Sequence, residues 1–107
     1  ALPDLRPNQR VGAAGEVLAR TTLEGDVRSP QEVAERLNLL LAATYARAQR
    51  QGTIAEGLEF DLGRFNALGQ ALSQRPAGQP ATVEAVLRKD AETPDPLLVE
   101  LRWQGRP

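Results

Sequence analysis

The sequence predicts an α+β fold, a two-layer sandwich in which two helices cover one face of a small, largely antiparallel sheet that ends in a C-terminal β-hairpin. Apolar residues recur at helical spacing in two segments, and in the segments around them they alternate with polar residues. Helices and strands of this kind bury their apolar faces against each other, here in an arrangement with a ferredoxin-like character. The order of the strands in the sheet stays open.

The chain has the length and composition of one globular domain. Of its 107 residues, 41% are hydrophobic and 25% are charged, which are ordinary values for such a domain. Residues 1–15, which contain two prolines, are expected to form an extended or disordered lead-in. Residues 16–107 are expected to form the single domain. Its first strand is predicted from Glu16, because positions 17, 19, 21, 23 and 27 carry apolar or β-branched side chains, and a short helix over Ala13–Leu23 is the alternative.

The first helix has clear sequence signals at both ends. Ser29 is a typical N-cap, Pro30 suits the first helical position, and Glu32 completes a capping box. Gly52 supplies the left-handed residue that ends a helix. The residues expected on the core face recur at helical spacing and are Val33, Leu37, Leu40, Leu41, Thr44 and Ala48.

The rest of the chain predicts a strand, a helix and a hairpin. A strand is expected over Thr53–Phe60, with Ile54 on its apolar side. Asp61 is expected to cap a second helix, which ends at Pro76. Alternating runs at 83–87 and 97–103 flank a segment rich in turn formers and therefore predict the antiparallel hairpin.

The composition argues against the commonest catalytic and metal-binding chemistries. The chain has no His and no Cys, so it lacks the usual near-neutral general base and the thiolate nucleophile. It also lacks the G-x-S-x-G sequence that presents a catalytic serine. We therefore expect a protein that is not an enzyme, with no catalytic residues, no metal site and no cofactor.

The charge balance and the apolar runs bear on the partners. The formal net charge is −1, whereas proteins that bind a phosphate backbone usually carry a basic surplus, so nucleic acid is not the expected partner. No apolar run approaches the roughly 20 residues that span a bilayer. We expect no membrane span in this chain, while an anchor upstream of Ala1 and the cellular compartment stay open.

The long helix carries a second stripe, roughly opposite its core face. It consists of Leu39, Ala42, Ala43 and Ala46, with Arg36 and Arg50 available as charges at its rim. Small side chains would let another helix come close, although alanine also fills exposed helix simply because it is the best helix former. The stripe predicts a non-catalytic interaction or assembly module in a larger or homo-oligomeric complex, whose partner is a protein or a second copy of the chain.

Two alternative functions rest on other motifs. The GxxG segment Gly12–Gly15, together with scattered surface arginines, would suit a nucleic-acid-binding module, since such loops let a nucleic-acid backbone approach. The carboxylates Glu56, Glu59 and Asp61 would suit a hydrolase or a metal site. The simpler interpretations are a flexible join for the glycines and a strand end followed by a helix cap for the carboxylates.

Overall fold

The computed structural model describes residues 9–105, and it has the predicted α+β fold with a C-terminal strand hairpin. Two helices lie among strands that form one mixed sheet and one small antiparallel ribbon. The elements in chain order are β1 (Arg10–Gly12), β2 (Val17–Leu23), α1 (Pro30–Arg50), β3 (Leu58–Glu59), α2 (Leu62–Ser73), β4 (Ala81–Leu87), β5 (Ala91–Glu92) and β6 (Leu97–Gln104).

The main sheet has four strands in the order β2-β4-β6-β3. Its first three strands are antiparallel neighbours, and the short strand β3 runs parallel to β6. In the β4–β6 hairpin, Val83 lies opposite Trp103 and Leu87 lies opposite Val99, so the alternating residues of both runs share the core face as predicted. Strands β1 and β5 pair separately, at the loop between β4 and β6.

Helix α1 packs its predicted face against the sheet. Five of the six expected core residues are buried, and Leu41, on the flank of that face, is half-buried. The Thr44 hydroxyl donates to the Leu40 carbonyl at 2.7 Å, which satisfies the polar group inside the core. The N-cap is also as predicted, because the Glu32 amide donates to the Ser29 hydroxyl at 3.1 Å. Gly52 ends the helix with φ +107°.

Strand β2 departs from the simple alternation that its sequence predicts. The register against β4 shifts between Val17 and Ala19, so an extra residue is accommodated and the alternation reverses at that point. As a result Leu18 is buried, whereas Val17 is exposed. The alternation expected at the odd positions therefore holds only from Ala19 onward.

The strand expected over Thr53–Phe60 is reduced to β3. The Thr53 hydroxyl accepts a hydrogen bond from the Ala55 amide at 3.1 Å, and a local turn of this kind competes with strand pairing. The Ile54 amide donates to the Thr93 carbonyl at 3.1 Å, and its side chain is 65% exposed instead of buried. This segment links α1 to α2 and contributes little to the sheet.

The fold includes residues that the sequence assigned to the lead-in. Strand β1 pairs with β5, and Val11 belongs to the hydrophobic core. The described domain therefore begins before residue 16. The remainder of the expected lead-in, residues 1–8, lies outside the described residues.

Arg75 joins three segments at one end of the molecule. Its guanidinium donates to the carbonyl oxygens of Leu72, Gln79 and Glu24, each at 2.7 Å. Nearby, a Cβ atom on Gly25 would lie 2.5 Å from the Gly78 carbonyl carbon, so two loops meet backbone to backbone.

Between Gln9 and Gly105, no helix is both long and apolar enough to cross a membrane.

Candidate docking surface

The second stripe of α1 lies on the side turned away from the chain's own core. Leu39 is 65% exposed, and Ala42, Ala43 and Ala46 are exposed around it. At 100° per residue these four lie within one sector of the helix, with Arg50 on the same side. We call these five residues the outer face of α1. The structure thus brings together five of the six residues predicted for the interaction surface.

The sixth predicted residue, Arg36, serves a different purpose. It lies on the flank of α1 next to β2, where its guanidinium donates to the Thr22 carbonyl at 3.2 Å and to the Glu24 carboxylate at 2.9 Å. It therefore ties the helix to the end of β2 within the chain. Arg50, in contrast, is exposed in the last turn of α1 and remains a rim charge of the outer face.

The GxxG segment Gly12–Gly15 forms a tight turn whose amides are engaged. The Ala13 amide donates to the Glu16 carboxylate at 3.1 Å. The Ala14 amide donates to the Asp90 carboxylate at 2.7 Å. The Gly15 amide donates to the carbonyl of Leu87, the last residue of β4, at 2.8 Å. Carboxylate oxygens thus accept hydrogen bonds from the backbone amides of Ala13 and Ala14, which would have to face the phosphates in a nucleic-acid complex.

The three candidate carboxylates do not converge on one point. Glu56, Glu59 and Asp61 are all exposed. The Asp61 carboxylate accepts the Arg64 amide at 3.0 Å and caps α2, which is the simpler role. No group of three or more His, Cys, Asp or Glu residues within residues 9–105 is placed to hold a metal ion.

The arginines that would serve the nucleic-acid alternative, and the single tyrosine of the chain, do not form one surface. The Tyr45 hydroxyl donates to the Ala55 carbonyl, and Arg75 is buried. Arg64 lies on α2 and reaches the Glu100 carboxylate at 3.4 Å. These side chains serve separate contacts within the chain.

The sequence did not predict two features near β6. Phe60 and Phe65 approach with ring centroids 5.5 Å apart and line a small cleft together with Val99 and Leu101. The parallel pairing of β3 with β6 covers Leu97 and Leu98. Both features depend on the short length of β3. The alternating pattern over residues 53–60 did not indicate that the strand would be so short.

A comparison with protein families identifies the chain's relatives. Residues 13–104 match the family described as the DUF3084-associated C-terminal helical hairpin. The chain belongs to this family. The matched residues contain more than the helical hairpin of that description, because they include strands β2 to β6 as well as both helices.

A curated relative shows how much of a longer protein this family region occupies. The uncharacterized protein alr4393 of Nostoc sp. (strain PCC 7120) is 35% identical over 98 residues, which make up 92% of this chain and 19% of the relative. The chain therefore spans about a fifth of the length of the curated relative that it matches. No solved structure matches the chain.

Proposed function

We propose that this domain is a non-catalytic docking module whose outer face of α1 receives an amphipathic helix. The supporting observation is Leu39, which is 65% exposed at the centre of a face that otherwise carries small side chains. Fully burying an exposed leucine contributes about 1.5–3 kcal/mol, and Leu39 has 65% of its surface left to bury. The alanines beside it allow the two helix axes to approach to about 8 Å, the short end of the usual range.

The helix that we propose as the occupant belongs to the same polypeptide as the domain. Two findings support this choice: the family description associates the region with DUF3084, and the matched region makes up 19% of the Nostoc relative. A domain joined to a longer chain meets that chain at high effective concentration. A modest surface such as the outer face of α1 then suffices for docking.

The charges around the outer face define the chemistry of the occupant further. Glu35 lies near the start of α1, and Arg50 lies in its last turn. The occupant is therefore an amphipathic helix with an apolar stripe, a basic residue opposite Glu35 and an acidic residue opposite Arg50.

Docking to protein agrees better with the geometry than binding to nucleic acid. The amides of Ala13 and Ala14 donate to carboxylates of the chain, which would repel a phosphate. The formal net charge of −1 gives no compensating attraction.

Site-specific photocrosslinking tests the proposal. A benzophenone amino acid replaces Ala43 in the full gene product, expressed in its own cells, and the adducts are mapped by mass spectrometry. We expect an intramolecular adduct to a helical segment outside these 107 residues. No adduct, or an adduct between two copies of the protein, would contradict the proposed occupant.

A matched control uses Ile54, which is as exposed as Leu39 at 65% but lies in the loop between α1 and β3. The same amino acid at this position should give little or none of the Ala43 adduct. Equal yields at both positions would mean that the outer face of α1 has no special role.

A further inference from the structure

Charges of opposite sign lie towards the two ends of the outer face of α1. Glu35 is exposed about one turn before Leu39, and Arg50 is exposed about one turn after Ala46. At 1.5 Å per residue these two charged residues lie about 22 Å apart along the helix axis. A helix that lies along the whole face therefore meets an acidic group near one end and a basic group near the other.

The contacts of Arg36 leave this order of charges intact. Although Arg36 follows Glu35 in the sequence, its guanidinium donates to the Thr22 carbonyl at 3.2 Å and to the Glu24 carboxylate at 2.9 Å. These contacts hold its positive charge on the flank of α1 next to β2. Glu32 adds an acidic group in the first turn of α1, so the start of the outer face is acidic.

We infer that the occupant of the outer face of α1 runs antiparallel to α1, an inference that rests on the proposed docking of a helix of the same polypeptide. Acidic residues in the first turn of a helix and basic residues in its last turn are stabilising, because they complement the helix dipole. An occupant with this common arrangement presents a basic residue to Glu35 and an acidic residue to Arg50 only if it runs antiparallel.

The dipoles of the two helices favour the same direction. The alanines of the outer face allow the helix axes to come close together. In an antiparallel pair, the partly positive N-terminus of each helix then lies beside the partly negative C-terminus of the other. In a parallel pair, ends of like charge would lie side by side. The side-chain charges and the backbone dipoles therefore favour one direction together.

The sizes of the side chains along the outer face describe the occupant further. Leu39 lies towards the start of α1, and the small side chains of Ala42, Ala43 and Ala46 follow it. Close packing places a small residue opposite the leucine and larger apolar residues opposite the alanines. The occupant is therefore a helix of at least about 16 residues. Acidic and large apolar residues lie in its first half, and small and basic residues lie in its second half.

Crosslinking from both ends of α1 tests the direction. Gln31 and Gln49 are exposed, uncharged residues that lie about five turns apart and therefore on the same side of α1, beside its outer face. A benzophenone amino acid replaces each in turn in the full gene product, and mass spectrometry maps the adducts. We expect both adducts in one segment outside these 107 residues, with the Gln31 adduct nearer to the C-terminus of that segment than the Gln49 adduct.

The order of the two adducts separates this inference from the proposed function. The opposite order would show a parallel occupant and would overturn the inference, while the proposed docking would stand. An adduct from only one of the two positions would overturn it as well, because an occupant of the inferred length reaches both. No intramolecular adduct from Ala43 would contradict the proposed docking itself, and the inference would fall with it.

Charge reversal tests the reason for the direction. The double variant Glu35→Arg/Arg50→Glu keeps the net charge but reverses the order of charges along the outer face, so the yield of the Ala43 adduct should fall at least about fivefold at low salt. The matched control Glu59→Arg/Arg88→Glu exchanges two exposed charges outside α1 and should leave this yield unchanged. Circular dichroism of both double variants should show the unaltered fold. An unchanged yield with the α1 variant would overturn the inference that complementary charges align the occupant.

Discussion

At the scale of single residues, Arg75 shows how backbone carbonyls can accommodate a buried charge. The residue is 2% exposed, and its planar guanidinium distributes its donors among three backbone carbonyls. Burial, followed by the positive charge of Arg28, lowers the pKa of the Arg75 side chain below its ordinary value. The contacts link the end of α2 to the loop before α1.

Replacing Arg75 with lysine should destabilise the fold by about 2–4 kcal/mol, because a single ammonium cannot reach three carbonyls in a fork geometry. The measurement is urea unfolding, compared with Arg50→Lys on the exposed end of α1. That control should change the free energy of unfolding by less than about 0.5 kcal/mol. Equal effects of the two substitutions would show that the Arg75 contacts add no stability.

Glu24 gives a pH-dependent prediction at the same scale. A hydrogen bond from its own backbone lowers the pKa of the Glu24 carboxyl, and the charge and hydrogen bond of Arg36 lower it further, against an opposing effect of desolvation. A carboxyl whose pKa is lower in the folded state stabilises the fold above its unfolded pKa and loses that contribution as the pH falls through the folded value.

Glu24→Gln should therefore be less stable than the unaltered chain at neutral pH, and the difference should vanish in acid, below the lowered pKa. Thermal unfolding of both proteins, at pH values from neutral to strongly acidic, measures this difference in stability. Glu35→Gln on the exposed side of α1 reports the general effect of losing a surface carboxylate. A Glu24→Gln difference that is the same at every pH would contradict the assigned role of the carboxylate.

At the scale of elements, α1 has one face that is buried in the fold and another that is exposed and that we propose as a docking surface. Leu37 is fully buried and Leu39 is 65% exposed, although only one residue separates them. We expect Leu37→Ala to cost about 2–5 kcal/mol of stability and Leu39→Ala to change it by less than about 0.5 kcal/mol. Chemical denaturation of both variants checks this division. A large loss of stability with Leu39→Ala would give that residue a structural role in place of a docking one.

The elements also show which parts of the fold the sequence can predict. The ends of α1, its buried face and the β4–β6 hairpin depend on local signals, namely caps, helical spacing and alternation, and the structure confirms them. The shortness of β3, the irregularity at Val17 and the burial of Arg75 depend on contacts between distant segments. No local pattern encodes them.

The outer face of α1 could also be predicted in part from the sequence. Helical spacing alone placed Leu39 and the alanines on one side of α1, and the structure shows them exposed together. The same spacing could not show that Arg36 turns towards Thr22 and Glu24, because its partners lie on another element. The short pairing of β3 with β6 could not be predicted for the same reason, since it depends on contacts between distant segments.

At the scale of the whole molecule, the proposed docking surface and the hydrophobic core lie on opposite sides of α1. The outer face of α1 points away from the sheet and is proposed to receive a helix of the same polypeptide.

Chemical accessibility of the outer face of α1 tests the central claim most directly. The 107-residue chain contains no cysteine, so Leu39→Cys introduces a single thiol whose reaction with a maleimide can be followed in the isolated domain and, by peptide mass spectrometry, in the full gene product. Docking predicts rapid labelling in the isolated domain and labelling slowed at least about tenfold in the full protein, while Ile54→Cys reacts equally in both. Equal rates at Leu39→Cys in the two proteins would show that no helix covers this face.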